Sequence, residues 1–248
     1  MTIEKATVFV IRKVNFKDSD YVVTLFGRGS GKFAGIAKGA RKLESKFGGV
    51  FDLLNMVEVV FYQSSGLDFI SEAELIENWE GMRNSGEAID AGLRSARMVN
   101  KLLEEGQREI KAYDLIEETL SSLDESQVRS RVVELSFYLK LFRHLGYQPQ
   151  LMECSRCGRP VEDEDPIKFS PEAGGVVCTK CSTGNEFQIS AGLRKVFVKL
   201  IRTPQSKVKR LKVTENQLQE GFTLLDRFGQ FHFGQKLILR AGSSPEPL

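Results

Sequence analysis

All four cysteines of this 248-residue chain lie in one short segment, as Cys154-Ser155-Arg156-Cys157 and Cys178-Thr179-Lys180-Cys181. This two-plus-two spacing is that of a tetrahedral metal site: each Cys-x-x-Cys turn presents two thiolates to one ion, and the excursion between the pairs lets the two turns meet. Gly158 and Gly174-Gly175 suit the tight backbone such turns require. Four thiolates fill a tetrahedral shell and leave no position for an activated water, so the spacing predicts one structural zinc ion and not a catalytic one. Two disulfides or a dithiol redox pair are the competing readings. A reducing cytosol disfavours the first, and the second is normally a single pair in a strand-helix context. The metal does not name a purpose, because thiolate knuckles serve DNA-binding, RNA-binding and scaffolding proteins alike.

Other residues that could do chemistry carry less. Gly27-Arg28-Gly29-Ser30-Gly31-Lys32 invites a phosphate-loop reading. That pattern needs a glycine where Phe26 stands and a Ser or Thr where Phe33 stands, and the loop joins two strands without opening a helix. A hairpin turn without nucleotide binding is expected. The two histidines, His144 and His232, sit in apolar helical stretches that suit core or cap roles. The carboxylates Glu72 with Glu74, and Glu162 through Asp165, read as solvated faces and loops. With no triad, no histidine metal motif and no acid-base pair, the chain is expected not to be an enzyme.

The net charge of +2 conceals a segregation. Residues 190–248 hold eleven basic and four acidic groups, and within them Arg194, Lys195, Lys199, Arg202, Lys207, Lys209, Arg210 and Lys212 form a run free of acids. A second cluster comprises Arg28, Lys32, Lys38, Arg41, Lys42 and Lys46. Lys38-Gly39-Ala40-Arg41-Lys42 mixes cations with small residues that let a phosphate backbone approach closely, and Phe33, Phe47 and Phe51 stand nearby as candidates for base stacking, although some of them must belong to the core. Both clusters are read as DNA contacts; a solvated loop is the bland alternative.

These residues need elements to hold them. β-Branched and aromatic runs at Thr7–Val14, Tyr21–Phe26, Gly31–Ala37, Val50–Tyr62 and Leu67–Glu74, separated by glycine-rich turns, predict five strands closing into a small barrel over residues 1–80. From about Asn84 the apolar period becomes helical, with further helices at Lys111–Leu123 and Val128–Leu145, the latter closed by Gly146. After the cysteines, Leu193, Val196, Phe197, Leu200 and Ile201 share one helical face, Pro204 ends that helix, and Thr214 with Gln217 forms a capping box for the next. The expected organisation is α+β and multidomain: the barrel at 1–80, a helical domain from 81–150 and 190–242, and a zinc-binding insertion at 151–189. The tail from Ser243 to Leu248 is expected to fray. At 41% hydrophobic and 27% charged residues the chain can bury real cores, and neither a signal peptide nor a membrane span is evident, which predicts a cytoplasmic protein.

The order of these parts resembles the RecO family of bacterial DNA repair and recombination mediators. The likeness is carried by Asp18-x-Asp20, Lys38-Gly39-Ala40-Arg41-Lys42 with Ser45, Leu145-Gly146-Tyr147-x-Pro149 ahead of Cys154-x-x-Cys157-Gly158, and Phe169-Ser170 with Gly174-Gly175 ahead of Cys178-x-x-Cys181. The resemblance implies that the barrel is an oligonucleotide/oligosaccharide-binding (OB) fold. It further implies binding to single- and double-stranded DNA, annealing of complementary strands and assistance to recombinase loading in the nucleoid. RecR, single-stranded-DNA-binding protein and, indirectly, RecA are the implied partners. A zinc-stabilised scaffold that binds only proteins is the alternative.

Overall fold

A computed structural model describes residues 2–125, 127–162 and 166–234. Five strands, β1 (Ile3–Phe16), β2 (Asp20–Gly27), β3 (Gly31–Ala37), β4 (Met56–Tyr62) and β5 (Asp68–Glu77), close into a barrel of order β1-β2-β3-β5-β4. One strand closes both sides. The first half of β1 pairs with β4, from Ile3 opposite Tyr62 to Phe9 opposite Met56, and its second half pairs with β2. A register shift between Val10 and Arg12 allows this, since an extra residue bends and twists the strand locally. Alternation does the rest: Val8, Val10, Val23, Leu25, Val57, Val59, Phe61 and Ile70 point inward and are buried.

Four of the five expected strands lie where the pattern puts them, but Val50–Tyr62 is only half a strand. Residues Gly48–Phe51 form a 3-10 turn, and the strand starts at Met56. The cause is Asn55, whose side-chain amide donates to the Gly49 and Val50 carbonyls at 3.1 and 2.9 Å and holds the turn closed.

The described residues fall into two compact units, one ending at Glu125 and the other beginning at Gln127. Three helices, α1 (Glu80–Arg83), α2 (Gly86–Leu102) and α3 (Ile110–Asp124), belong to the barrel's unit. The barrel therefore does not stand apart from residue 81 onward as its period change suggested. Tyr113 of α3 explains why: its ring packs 4.9 Å from Phe9 and 5.9 Å from Phe26, strand residues on the outside of the barrel that would otherwise meet water. Burial there pushes the Tyr113 hydroxyl up to about 12.

The second unit contains α4 (Ser130–His144), a sheet of β6 (Ile167–Ser170), β7 (Gly175–Val177) and β8 (Phe187–Ile189) in the order β7-β6-β8, then α5 (Ala191–Arg202) and α6 (Glu215–Phe233). α4 is buried nearly all round, including Glu134, Ser136 and Lys140. Those polar groups are satisfied internally: Glu134 accepts the Tyr138 hydroxyl at 2.6 Å, and Lys140 donates to the Thr203 carbonyl at 2.6 Å and to Gln205 Oε1 at 2.9 Å. α4 ends as expected at Gly146 (φ 88°). The Tyr147 N–H reaches the Phe142 carbonyl at 2.8 Å and the Gly146 N–H the Arg143 carbonyl at 3.1 Å, the paired bonds of a Schellman turn. Thr214 and Gln217 form the expected capping box of α6. The expected frayed tail lies outside the described residues, and no helix among those described is long and apolar enough to cross a membrane.

Candidate metal centre and basic barrel face

The two Cys-x-x-Cys turns meet beside the small sheet. The first follows Gln150, whose backbone N–H and carbonyl bond to Gly174 and Val176 at 2.9 Å each. Gly175 makes this approach feasible, because a Cβ there would stand 2.2 Å from the Gln150 carbonyl oxygen. The second turn leaves the end of β7, and Ser155 N–H bonds to the Val176 carbonyl at 2.9 Å, so one strand positions both pairs. Arg156 clamps them further, donating to the Cys181 carbonyl at 2.5 Å and pairing with Glu186 at 3.3 Å. The backbone N–H of Thr183 leads the bonds that draw the Glu186 carboxyl down to about 2, joined by the Ser182 hydroxyl and the Gly184 N–H.

The four Sγ atoms all lie within 4.8 Å of one another, with Cys157 and Cys178 at 3.8 Å. A tetrahedron with metal–sulfur bonds of about 2.3 Å has sulfur–sulfur edges of about 3.8 Å, so the spacing fits an ion at the centre. The chemistry of the donors agrees. Burial pushes the Cys154 thiol up, but N–H groups of Cys178, Arg156 and Cys157 outweigh it and bring the thiol down to about 6. Cys181 is pushed up to about 12, first by its neighbours Cys157 and Cys178. Crowded thiols cannot all ionise unless a cation stands among them. Cys154 is buried and Cys157 exposed, all four are free of disulfides, and the set could hold a metal ion.

The basic residues of the barrel unit divide in two. Arg28 pairs with Asp114 at 2.8 Å, and Lys32 donates to the Asn100 carbonyl at 2.8 Å in the last turn of α2. Both serve internal attachment of helices to the barrel, and desolvation lowers the Lys32 ammonium from its usual range. Gly27–Lys32 is the expected hairpin, with Gly27 opposite Gly31.

The loop 38–46 is different. Its Gly39 N–H is held by Asp20 Oδ1 at 2.8 Å and its Arg41 N–H by the Ser19 carbonyl at 2.9 Å, while Ala40 is buried in the barrel core. Anchored thus from below, Lys38, Arg41, Lys42 and Lys46 remain exposed above. Lys46 Nζ donates to the Ser71 carbonyl at 2.5 Å and Arg41 Nη1 to the Lys17 carbonyl at 3.2 Å, contacts that orient these side chains without neutralising them.

The aromatics expected to stack on bases are corrected by the structure. Phe33, Phe47 and Phe51 are 8%, 2% and 2% exposed and belong to the barrel core, where Phe33 stacks on Phe61 at 4.6 Å. Loop proximity in sequence misled; position in the strand alternation decides. Phe16 and Phe69, not singled out from the sequence, are the exposed phenylalanines of this unit, each beneath a lysine ammonium. Their positions on the outward side of the alternation were the available signal.

In the second unit, Arg194 is 5% exposed and donates to the Val161 carbonyl at 2.6 Å, an interior brace in the stretch after the first cysteine pair. Lys195, Lys199, Arg202, Lys207, Arg210 and Lys212 are exposed and Lys209 is half-buried. The segment that follows α5 is pinned at its end: Arg129 donates to the Leu211 and Val213 carbonyls, and Arg131 pairs with Glu215. Sequence reading missed Arg129 and Lys140 as the residues that shape it. His232 is half-buried and packs against Tyr147 and Phe228. His144 closes the last turn of α4. Glu72, Glu74 and Glu162 are exposed, and residues 163–165 lie outside those described.

A closed five-stranded OB-type barrel, a helical body and a four-cysteine centre between its helices define a multidomain α+β protein. The chain belongs to the recombination protein O (RecO) family of DNA repair proteins: residues 1–79 match the family described as recombination protein O N terminal, and residues 83–240 match recombination protein O C terminal. It is similar to the DNA repair protein RecO of Desulfatibacillum aliphaticivorans, 28% identical over 92% of this chain and 91% of that one. It is likewise similar to those of Symbiobacterium thermophilum, 30% identical over 77% of each chain, and of a Thermoanaerobacter strain, 30% identical over 82% of this chain and 79% of that one.

Proposed function

We propose that this protein is a non-enzymatic mediator of recombinational repair, cytoplasmic and nucleoid-associated, that binds single- and double-stranded DNA and brings complementary strands together. The observation that carries the reading is the loop 38–46: its backbone is fastened to the barrel by Asp20 and Ser19 while four cations face solvent. A pre-positioned row of cations exchanges condensed counterions for protein charge along a phosphate backbone, and it does so without reading sequence. Two strands screened on one molecule repel each other less, which is the physical basis of annealing. The exposed cations of 195–212 supply a second such surface in the other unit.

One zinc ion, held by Cys154, Cys157, Cys178 and Cys181, fits the donor set best, since a tetrahedral four-thiolate site favours zinc or iron–sulfur chemistry and closed coordination suits a structural ion. When bound, it supplies a crosslink between the two turns; Arg156 and the Gln150–Val176 bonds orient the ligands for it. Family likeness extends the reading to partners: RecR, single-stranded-DNA-binding protein and, through them, loading of RecA. The test is annealing of two complementary fluorophore-labelled strands by the full chain. The reading expects acceleration that drops several-fold in Arg41→Ala/Lys42→Ala, and equal rates with and without protein would contradict it.

A further inference from the structure

The register of the barrel sets four apolar side chains in a row on its outer face. Ile3 of β1 stands opposite Tyr62 of β4, Tyr62 opposite Phe69 of β5, and Phe69 beside Ile36 of β3. Their chain neighbours Phe61 and Ile70 point the other way into the core, so the row is the outward half of the alternation. Ile3 is 59% and Phe69 39% exposed. The Tyr62 and Phe69 rings are tilted by 38° with centroids 6.1 Å apart. Single exposed apolar residues are ordinary, but a contiguous row marks a binding surface; Glu72, opposite Val60, lies to one side of this row, and the cations lie at its Phe69 end.

The rim is cationic at Phe69. Lys38 Nζ lies 5.5 Å from the centre of its ring, and Lys46 Nζ reaches the carbonyl of Ser71, two residues along the same strand. A pair of aromatic rings with ammonium groups at one end matches an unpaired nucleic-acid strand, whose bases expose π-faces and whose phosphates carry one charge each. A duplex offers the same phosphates but keeps its base faces stacked inside.

We propose that Phe69 and Tyr62 form a stacking platform for unpaired bases, with Lys38 and Lys46 taking the flanking phosphates, so that this face binds single-stranded DNA in preference to duplex. The proposal rests on the DNA-binding reading above. Lys38 has a flexible stem, and its ammonium exchanges the ring face for a phosphate when a base arrives. The charge clusters give affinity for any phosphate backbone; the aromatic pair adds the discrimination.

Two probes separate these contributions: an oligothymidine and an abasic strand of the same length, which keeps the phosphates and lacks the bases. Binding of both is followed by fluorescence anisotropy for the wild type, Phe69→Leu and Arg41→Ala/Lys42→Ala. Phe69→Leu keeps an apolar side chain on an exposed position, and its thermal midpoint reports that the barrel is intact. The wild type is expected to prefer oligothymidine by roughly tenfold or more, the scale of one stacked base. Phe69→Leu should lose most of that preference with an unchanged salt dependence, and Arg41→Ala/Lys42→Ala should weaken both probes and keep it. Equal binding of the two probes by the wild type, or a preference retained in Phe69→Leu, would overturn the stacking proposal and assign the face to a protein partner. Absence of binding to either probe would overturn the DNA-binding reading itself and the platform with it.

Discussion

The Asp20 carboxylate accepts the backbone N–H of Gly39 at 2.8 Å, which ties the first residue of β2 to the start of the cationic loop. An acidic residue thus organises the basic surface. Its two effects on DNA have opposite sign: its charge repels phosphate, while its hydrogen bond holds the loop in shape. A bond to a charged acceptor contributes about 1.5–3 kcal/mol, more than a screened charge at a solvated surface. Asp20→Ala should therefore weaken DNA binding by roughly tenfold, although it removes a negative charge, and Asp20→Asn, which keeps an acceptor, should bind at least as well as wild type. Anisotropy titrations of the two variants check this; tighter binding by Asp20→Ala would show that the loop needs no such anchor.

The metal centre gives a second expectation. Cys154→Ser and Cys178→Ser each remove one of four ligands and leave three crowded thiols. Elemental analysis of protein purified without chelator should find one zinc per wild-type chain and little in either variant, with a lowered thermal midpoint for the second unit. Metal content near zero in the wild type would remove the zinc from the account.

Gly175 tests how that centre is built. A methyl group there meets the Gln150 carbonyl oxygen at 2.2 Å and Ser155 Oγ at 2.6 Å, and the first of these is backbone that has no room to turn aside. Gly175→Ala should cost about 1–3 kcal/mol in urea unfolding and loosen the metal, whereas Gly29→Ala, with open space around it, should change stability little.

Lys32 separates the hairpin from a nucleotide site. Its ammonium holds the Asn100 carbonyl at 2.8 Å, at the negative end of α2. Lys32→Met should lower stability by about 1 kcal/mol in the same assay. Isothermal titration of the wild type with ATP should show no heat of binding; measurable affinity lost in Lys32→Met would contradict the reading.

Much of this was legible in the sequence, for physical reasons that differ by element. The cysteines announce themselves because metal geometry fixes their spacing. The strands are readable because Val8, Val10, Val57 and Val59 alternate, and the α6 cap because Thr214 and Gln217 bond within one turn. What was hidden depends on contacts distant along the chain. Asn55 turns half of an apparent strand into a 3-10 turn, Tyr113 packs α3 against the barrel, and Arg194 enters the interior through a carbonyl 33 residues away. Cations read alike in a sequence; only their partners separate Arg28 and Lys32, which brace the fold, from Lys38, Arg41, Lys42 and Lys46, which face solvent.

The central claim is that the loop 38–46 neutralises phosphates, and the most direct measurement is the salt dependence of single-stranded DNA binding for wild type and Arg41→Ala/Lys42→Ala/Lys46→Ala. Each phosphate contact contributes about −0.7 to the slope of log K against log salt concentration. The wild type should bind tightly at low salt and weaken steeply as salt rises, and the triple variant should show a slope smaller in magnitude by up to ~2, alike for unrelated oligonucleotides. A wild type without affinity for single-stranded DNA at low salt, or a triple variant with an unchanged slope, would contradict it.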